Sequence, residues 1–581
     1  LVLIGGGGES NGGWSDDPYT WALDQSQNRK VAIIYYSSST SWIPEYFMDL
    51  GASDTARFDI DNFTLANAQA TYDSLMNYDV FFIKGGNQWD YYNTWKGSKV
   101  EDAITDKFNQ GGVIMGTSAG MAILSEYIFT AENGSVYPDE GLADYNHPNI
   151  TIENDFLSIF PNYIFDTHFV ERGRLGRLLA FIKNIQLVNV HGLGADDRTT
   201  ICIDSNNIGT VMGSAGITIV EGFVTLNKKC FQLIDGQQFD FNNFQVINTN
   251  NAFQLNPPSQ IEYHNYTNTL LISGSDSLEH MDNFLTTLHN AQGLTTDTIY
   301  IYTSNTNQAN NLESYLNGLA LPHYKTIDIN TASTLSSYHF SSPKKILFYA
   351  NNWDILYDFL NNTTNGNILK AKLTDNITIT AFAGQDSKFV GTTFCSNIHN
   401  NVYGSYYGEL EFKKGLNLIK SSLFMPNTYD AYTSSYYENT QSAITWGMMK
   451  DTLKYGVFLS YKGYLNIWQN GTIKYLTTKG VPAILFTNNG TEADTTSSYV
   501  YSSQNFLRQI SSFKELSVNW NQNNWLTYWN STITGIEDIN NPKGKLLNIT
   551  TILGAKTQEK TNTPLFYKYE NGKVEKKIII D

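Results

Sequence analysis

Four short apolar runs open the chain: Leu1-Val2-Leu3-Ile4, Val31-Ala32-Ile33-Ile34-Tyr35, Asp79-Val80-Phe81-Phe82-Ile83 and Val113-Ile114-Met115. None alternates with polar residues, as expected of strands buried on both faces. The first runs into Gly5-Gly6-Gly7-Gly8, the third reaches Gly85-Gly86 and the fourth meets Gly116. Helical spacing fills the gaps. Ser98 with Glu101 three residues on predicts a capping box, Val100, Ala103, Ile104 and Phe108 form one apolar face, and Gly111 stops the turn. Strand–helix alternation of this kind predicts an α/β fold with a doubly wound parallel sheet.

From Thr199 the texture changes. Thr199-Thr200-Ile201-Cys202-Ile203, Gly209-Thr210-Val211-Met212 and Ile217-Thr218-Ile219-Val220 predict an antiparallel β extension, a meander in which Gly213-Ser214-Ala215-Gly216 is a hairpin turn. Asn256-Pro257-Pro258-Ser259 reads as a linker. The opening pattern then restarts. Leu270-Leu271-Ile272-Ser273-Gly274 echoes Leu1–Gly5, Thr298–Ser304 echoes Val31–Ser37, and Ile346–Asp354 echoes Phe82–Asp90. The offset is 264 from Trp89 to Trp353 and 267 from Val31 to Thr298. A nearly constant offset predicts a second, diverged copy of the first domain. The expected division is residues 1–262, 263–520 and a small C-terminal β unit, 521–581.

Composition narrows the classes. The 581 residues hold 38 Lys plus Arg against 55 Asp plus Glu, a formal charge of -17. Such a surface repels phosphate backbones, so no nucleic-acid partner is expected. No run approaches the roughly 20 apolar residues of a membrane helix, so no transmembrane segment is expected. Only Cys202, Cys230 and Cys395 are present, too few for a disulfide scaffold and without a CxxC pair for metal or redox work. The chain opens at Leu1 with no basic-then-apolar leader, so any targeting segment is expected to have been removed or to lie outside this sequence. Asn-x-Ser/Thr triplets at Asn62, Asn133, Asn149, Asn265, Asn361, Asn362, Asn376, Asn470, Asn489, Asn530 and Asn548 would accept glycans in an exported protein. An Asn-rich chain also produces such triplets by composition alone.

The strongest chemical motif is Gly116-Thr117-Ser118-Ala119-Gly120, which follows a predicted strand and precedes the helical run Met121-Ala122-Ile123-Leu124. That context suits a nucleophile elbow: the glycines allow a sharp turn, the Ser118 hydroxyl projects from the strand end, and the Ala119 N–H faces a developing oxyanion. A serine nucleophile needs a base, and the base an orienting acid. His168 follows an apolar run at the same predicted edge. His147 lies in a polar loop, and His191 reads equally as a packed strand-end residue. Asp166, Glu171, Asp196 and Asp197 are all candidate acids. Arg172, Arg174 and Arg177 cluster just after His168; each offers a fixed fork for a carboxylate, or a salt bridge at a helix start.

Taken in order, Gly85-Gly86-Asn87-Gln88, Gly116–Gly120, Asp166-Thr167-His168-Phe169 with the three arginines, and Gly192-Leu193-Gly194-Ala195-Asp196-Asp197 resemble the motifs of cyanophycinases and aspartyl dipeptidases. The resemblance covers about residues 1–220. It implies a serine peptidase on a flavodoxin-like sheet, with no metal or organic cofactor. Ser118 would be the nucleophile, His168 the base and Asp197 the acid. Gly86 and Asn87 would join Ala119 in the oxyanion hole. Gln88, Asp166, Thr167, Arg172, Arg174 and Arg177 would line the pocket for a peptide or isopeptide substrate. Asp197 stands where the family has Glu, and Thr167 where cyanophycinases have Gln. In the second copy, the 264 offset sets Phe382 against Ser118 and Ala350 against Gly86, and no histidine follows His399. That copy is therefore expected to be catalytically dead.

The end of the chain, Leu547 to Asp581, resembles the tails of type IX secreted proteins of Bacteroidetes. The resemblance implies a secreted or cell-surface protein, and the strand-like tail suits a homo-oligomer or filament contact. Two functions follow as expectations: a secreted serine peptidase acting near aspartyl residues, or a non-catalytic extracellular structural protein that kept a peptidase fold.

Overall fold

In the computed structural model, described residues are all but 38–40, 187–188, 223–227, 250–251, 259–268, 294, 351, 376, 399–403, 406, 429–438, 468–472, 478–479, 496–497, 502–503, 508, 521–545, 551–555, 558–564, 570–573 and 578–581. The expected boundaries at 262 and 520, and the triplets at Asn265, Asn376, Asn470 and Asn530, fall on or beside segments outside the described residues. Among those described, no helix is long and apolar enough to cross a membrane.

The fold is mixed α/β with sheets rich in parallel strands. The four apolar runs become β1 (Val2–Ile4), β2 (Lys30–Tyr35), β4 (Val80–Ile83) and β5 (Val113–Thr117), whereas the edge strand β3 (Asp54–Asp59), polar and exposed or half-buried throughout, was not among them. They then lead to β6 (Ser125–Phe129), β7 (Ile152–Glu153), β8 (Phe160–Asp166), β9 (His191–Ala195), β10 (Thr199–Ile203) and β11 (Ile208–Gly213). After these come β12 (Gly216–Val220), β13 (Lys228–Ile234), β14 (Gln238–Asp240) and β15 (Gln245–Asn248). One sheet runs β15-β14-β11-β10-β1-β5-β4-β2-β3, with β1, β5, β4, β2 and β3 parallel to one another and β1 antiparallel to β10. The chain's first strand fills the last parallel position of an order otherwise read 2-1-3-4.

Unbroken apolar runs are required because both faces of this sheet are covered. Leu3, Ala32, Ile34, Phe81 and Ile83 pack on the side of Tyr91, Trp95, Val100 and Ile104. Val2, Ile4, Val31, Ile33 and Phe82 face Tyr19, Leu23, Tyr46 and Phe47 on the other. Each fully buried Val, Leu, Ile or Phe among these contributes about 1.5–3 kcal/mol.

Two local expectations are corrected. Ser98 caps its helix, Lys99–Asn109, by accepting from the Val100 N–H, but the Glu101 carboxylate accepts from Gly97 rather than Ser98. The pair therefore satisfies two free N–H groups without the reciprocal box. Gly213–Gly216 is not a hairpin. β11 pairs with β10 in the first sheet, whereas β12 pairs with β9 and β13 in a second sheet. The turn therefore carries the chain from one sheet to the other, anchored where Ala215 N–H donates to Thr199 Oγ1 and Gly216 N–H donates to Asp196 Oδ2.

The second sheet continues across β13, which pairs antiparallel with Ser511–Asn519. Outward on one side lie β12, β9, β8, β6 and β7; on the other lie Ile484–Thr487, Tyr455–Ser460, Ser422–Thr428, Thr393–Cys395 and Phe412–Lys414. The pairings on both sides run antiparallel, antiparallel, parallel, parallel, antiparallel. A third sheet has the order Tyr324–Asp328, Ile299–Thr303, Lys345–Phe348, Ile379–Phe382, Leu270–Ser273, Gly463–Ile467, Ile473–Thr477. Its directions match the series from β3 through β1 to β11.

Strand pairing also corrects the register of the echo. Leu3 lies opposite Gly116, and Ile272 opposite Phe382, so Phe382 matches the strand end and not Ser118. Ser118, two residues after Gly116, has φ 51°, and Gly384, two residues after Phe382, has φ 54°. Insertions change the offset along the chain, and one constant cannot carry a residue-level alignment. A separate unit, Trp525–Asp581, holds a four-stranded antiparallel sheet ordered Lys556–Thr557, Leu546–Thr550, Leu565–Tyr569, Val574–Lys577.

Candidate active site

The site lies where β5 and β8 end. Ser118 stands at the start of the short helix Ala119–Ala122 with φ 51° and ψ -120°, a positive-φ conformation that costs a non-glycine residue about 1–3 kcal/mol. The turn is held by its N–H on Ile4 O (3.0 Å) and by Met121 and Ala122 N–H groups on Ser118 O (both 3.0 Å). The flanking glycines are steric necessities. A Cβ on Gly116 would lie 2.3 Å from Gly120 O, and one on Gly120 would lie 2.3 Å from Ile83 O.

His168, two residues past the end of β8, also has positive φ (45°) and donates its N–H to Gly5 O at 2.8 Å. Its Nε2 is 2.8 Å from Ser118 Oγ, and its Nδ1 is 2.5 Å from Asp197 Oδ1. A carboxylate can only accept, so Nδ1 carries the proton and Nε2 accepts from the serine hydroxyl. The imidazole is 16% exposed and the Asp197 side chain 23%, leaving the line of groups open to solvent at one side.

The four acids left open by sequence take separate tasks. Asp197 meets the imidazole. Glu171 accepts from the Asp197 N–H at 3.0 Å and fixes that backbone. Asp196 accepts from Val170 and Gly216 N–H groups, tying the loop to β12. Asp166 is 3% exposed and is bound by arginines. Arg177 donates through Nε to Oδ2 (2.9 Å) and through Nη2 to Oδ1 (2.5 Å). Arg174 donates to Asp166 Oδ1 at 3.3 Å and to Thr167 O at 2.6 Å, and Thr167 N–H donates to Asp166. Burial pushes the Asp166 carboxyl up, but the Arg177 and Arg174 guanidiniums outweigh it and hold the group below its usual range. Arg177 also lies over Phe129 and Phe181. Arg172 differs from both: it is exposed and forms no ion pair among the described residues.

Gln88 starts the helix Gln88–Trp95 and donates to Phe129 O at 3.1 Å, while Asn87 caps that helix through the Trp89 N–H. Gly86 lies beside the Tyr91 hydroxyl. Gly85, part of the Gly85-Gly86-Asn87-Gln88 motif but given no role of its own from the sequence, is closer to the serine: a Cβ there would stand 3.1 Å from Ser118 Cβ. Gly6 was also missed; its signal was the Gly5–Gly8 run, and it packs directly on the His168 ring. The other two histidines stand apart. His191 accepts from Gly222 N–H and stacks on Phe244 at 4.0 Å, and burial pulls it down to about 4. His147 accepts from the Asn149 N–H. Among the described residues, no group of three or more His, Cys, Asp or Glu side chains is arranged to hold a metal ion.

Known proteins resemble part of this chain. The cyanophycinase of Geminocystis herdmanii is 25% identical over 177 residues, covering 30% of this chain and 61% of that protein. The cyanophycinase of Trichormus variabilis is 26% identical over 180 residues, covering 30% and 56%. The chain thus spans less than two thirds of the length of these relatives. A solved peptidase from an acI-B1 actinobacterium aligns with 14% identity and a TM-score of 0.32, over 42% of this chain and 96% of that one. Residues 1–211, which contain every group of the Ser118 site, match the model of peptidase family S51.

Proposed function

We propose that the Ser118 site hydrolyses peptide or isopeptide bonds next to aspartyl residues by a serine mechanism. The unbroken line from Ser118 Oγ through the His168 ring to Asp197 carries this reading. Ser118 Oγ attacks the carbonyl carbon as its proton moves to His168 Nε2, and Asp197 stabilises the imidazolium. N–H groups of Ala119 and of the Gly85-Gly86-Asn87 turn receive the oxyanion. The leaving amine takes the proton from Nε2; water, deprotonated by the same nitrogen, then releases the acyl group and restores Ser118. Arg172 has its fork available for a substrate carboxylate, whereas Arg174 and Arg177 hold Asp166. The match to cyanophycinases supports an aspartyl-linked substrate. Labelling with a fluorophosphonate, followed by turnover of a β-aspartyl dipeptide, tests the reading. Wild type is expected to react at Ser118, and Ser118→Ala to lose about 10⁴-fold or more of turnover. Wild-type protein that neither labels nor turns over would sink it.

We further propose that the first sheet is a doubly wound, flavodoxin-like relative and that residues after about 268 are its diverged duplicate, without chemistry of its own. The matched strand directions support duplication. At the elbow stands Gly384; Asn427, with φ 54° and its N–H on Gly274 O, occupies the backbone setting of His168. The Asp386 side chain accepts from Ala350 N–H, so an internal carboxyl group fills the loop that corresponds to the oxyanion turn. A Ser118→Ala protein that retained fluorophosphonate labelling would refute the silence of this half. Export and tail-mediated assembly, read from the tail's resemblance, complete the proposal and its structural alternative. Light scattering that finds the same mass with and without residues 521–581 would remove the assembly role.

A further inference from the structure

Segment 130–151 borders the Ser118 site. It leaves the end of β6 after Phe129 and returns in β7, and β6 runs parallel to β8 with Tyr127 opposite Ile164. It therefore departs from the edge at which His168 stands, and Gln88 donates to Phe129 O at its root. Within it, Ser135 Oγ accepts from Arg177 Nη1 at 3.2 Å. The helix Pro138–Ala143 packs on the helix Leu175–Ile185, where a Cβ on Gly141 would come 3.0 Å from Ala180 Cβ. The wall is thereby joined to the Arg177–Asp166 pair, two residues before His168.

Asp139 on this helix is 4% exposed, and its Oδ1 has no hydrogen-bond partner among the described residues. Its charge is met from the other half of the chain. Lys462 Nζ donates to Asp139 Oδ2 at 2.8 Å, with the two side chains 13% and 5% exposed, and Tyr461 Oη lies 3.5 Å from the same oxygen. The ammonium also sits 4.5 Å from the Tyr461 ring. Lys462 follows the strand Tyr455–Ser460, whose place in the sheet mirrors that of β9, the strand that leads to Asp197. Burial lowers the Lys462 pKa, but Asp139 and Tyr461 raise it further, so the amine stays charged.

We propose that Lys462 is a positioning residue for the Ser118 site: it neutralises Asp139 across the two halves and holds the 130–151 wall where a peptide substrate binds. The proposal rests on the serine-peptidase reading. Without the ammonium, a buried carboxylate is uncompensated and draws its helix toward water, opening the wall while the Ser118–His168–Asp197 line keeps its own supports. Lys462→Met in the full chain is expected to raise KM for a β-aspartyl dipeptide about tenfold, with kcat and the rate of Ser118 labelling by a small fluorophosphonate changing less than about twofold. Lys462→Arg, and the neutral pair Lys462→Met with Asp139→Asn, are expected to return KM toward wild type. If Lys462→Met does not fold, Lys462→Gln, which also removes the ammonium and leaves Asp139 charged, is read in the same way. An unchanged KM overturns the proposal. So does a parallel fall in kcat, labelling and thermal midpoint, which would mean a general loss of folded protein. Wild-type protein inert to both probe and dipeptide would instead overturn the peptidase reading, and this proposal with it.

Discussion

Gly6→Ala puts the base assignment under the sharpest test. Gly6 has φ +130°, a conformation L side chains rarely adopt, and an added Cβ would lie 2.3 Å from His168 Cε1, 2.6 Å from Nδ1 and 2.9 Å from Asp197 Oδ1. Ordinary contact begins at 3.4 Å, so the ring must retreat by roughly 1 Å or the Gly5–Gly7 loop must move. The loop is poorly placed to do so, because Gly5 O accepts from His168 N–H and Gly6 O accepts from Arg198 N–H. Ring movement stretches the 2.8 Å contact between Ser118 Oγ and Nε2. A misplacement of about 1 Å costs about 100-fold in rate, and the strained backbone adds about 1–3 kcal/mol of instability. The assay is the second-order rate of Ser118 labelling by fluorophosphonate, read beside the thermal midpoint. Gly8→Ala is the control, since nothing lies within 4 Å of a Cβ there. Gly6→Ala is expected to label about 100-fold more slowly while still folding, with Gly8→Ala near wild type. Wild-type labelling by folded Gly6→Ala would refute His168 as the base in this arrangement.

Arg177→Met removes two of the hydrogen bonds that hold the buried Asp166 carboxylate, leaving Arg174 and the Thr167 N–H. A loss of about 3–5 kcal/mol in urea unfolding is expected, and a loss under about 1 kcal/mol would mean the pair carries little of the edge. Asp386→Asn changes a pH profile. Asp386 is fully buried, and burial pushes its carboxyl up to about 7 against the opposing pull of the Ala350 N–H. The folded state therefore keeps a proton that the unfolded chain releases near pH 4; this stabilisation is complete below that value and is lost as pH rises through about 7. Across that window wild type should lose up to about 4 kcal/mol relative to Asp386→Asn in paired urea titrations, and a constant difference would refute the shift.

Local pattern determined much of this protein because burial and backbone sign leave marks within a few residues. Val2 and Ile4 serve one face of a covered sheet and Leu3 the other, so the run had to be apolar throughout. Gly116 and Gly120 flank Ser118 because backbone oxygens occupy the space of any Cβ. The echo at Leu270 was legible for the same reason, since a second covered sheet needs the same runs. Residue-level correspondence was not, because insertions break a fixed offset while strand pairing preserves register; hence Gly384 rather than Phe382 at the elbow. Tertiary structure alone separated the acids. Asp166, Asp196 and Asp197 are the same chemical group, and only their neighbours, Arg177, two loop amides and the His168 ring, give them different tasks. Pairing across distant segments likewise sent Gly213–Gly216 between two sheets and brought Lys462 to Asp139, 323 positions apart. A sequence records how wet each position is and which turns it permits; which strand becomes its neighbour is decided by the packing of the whole chain.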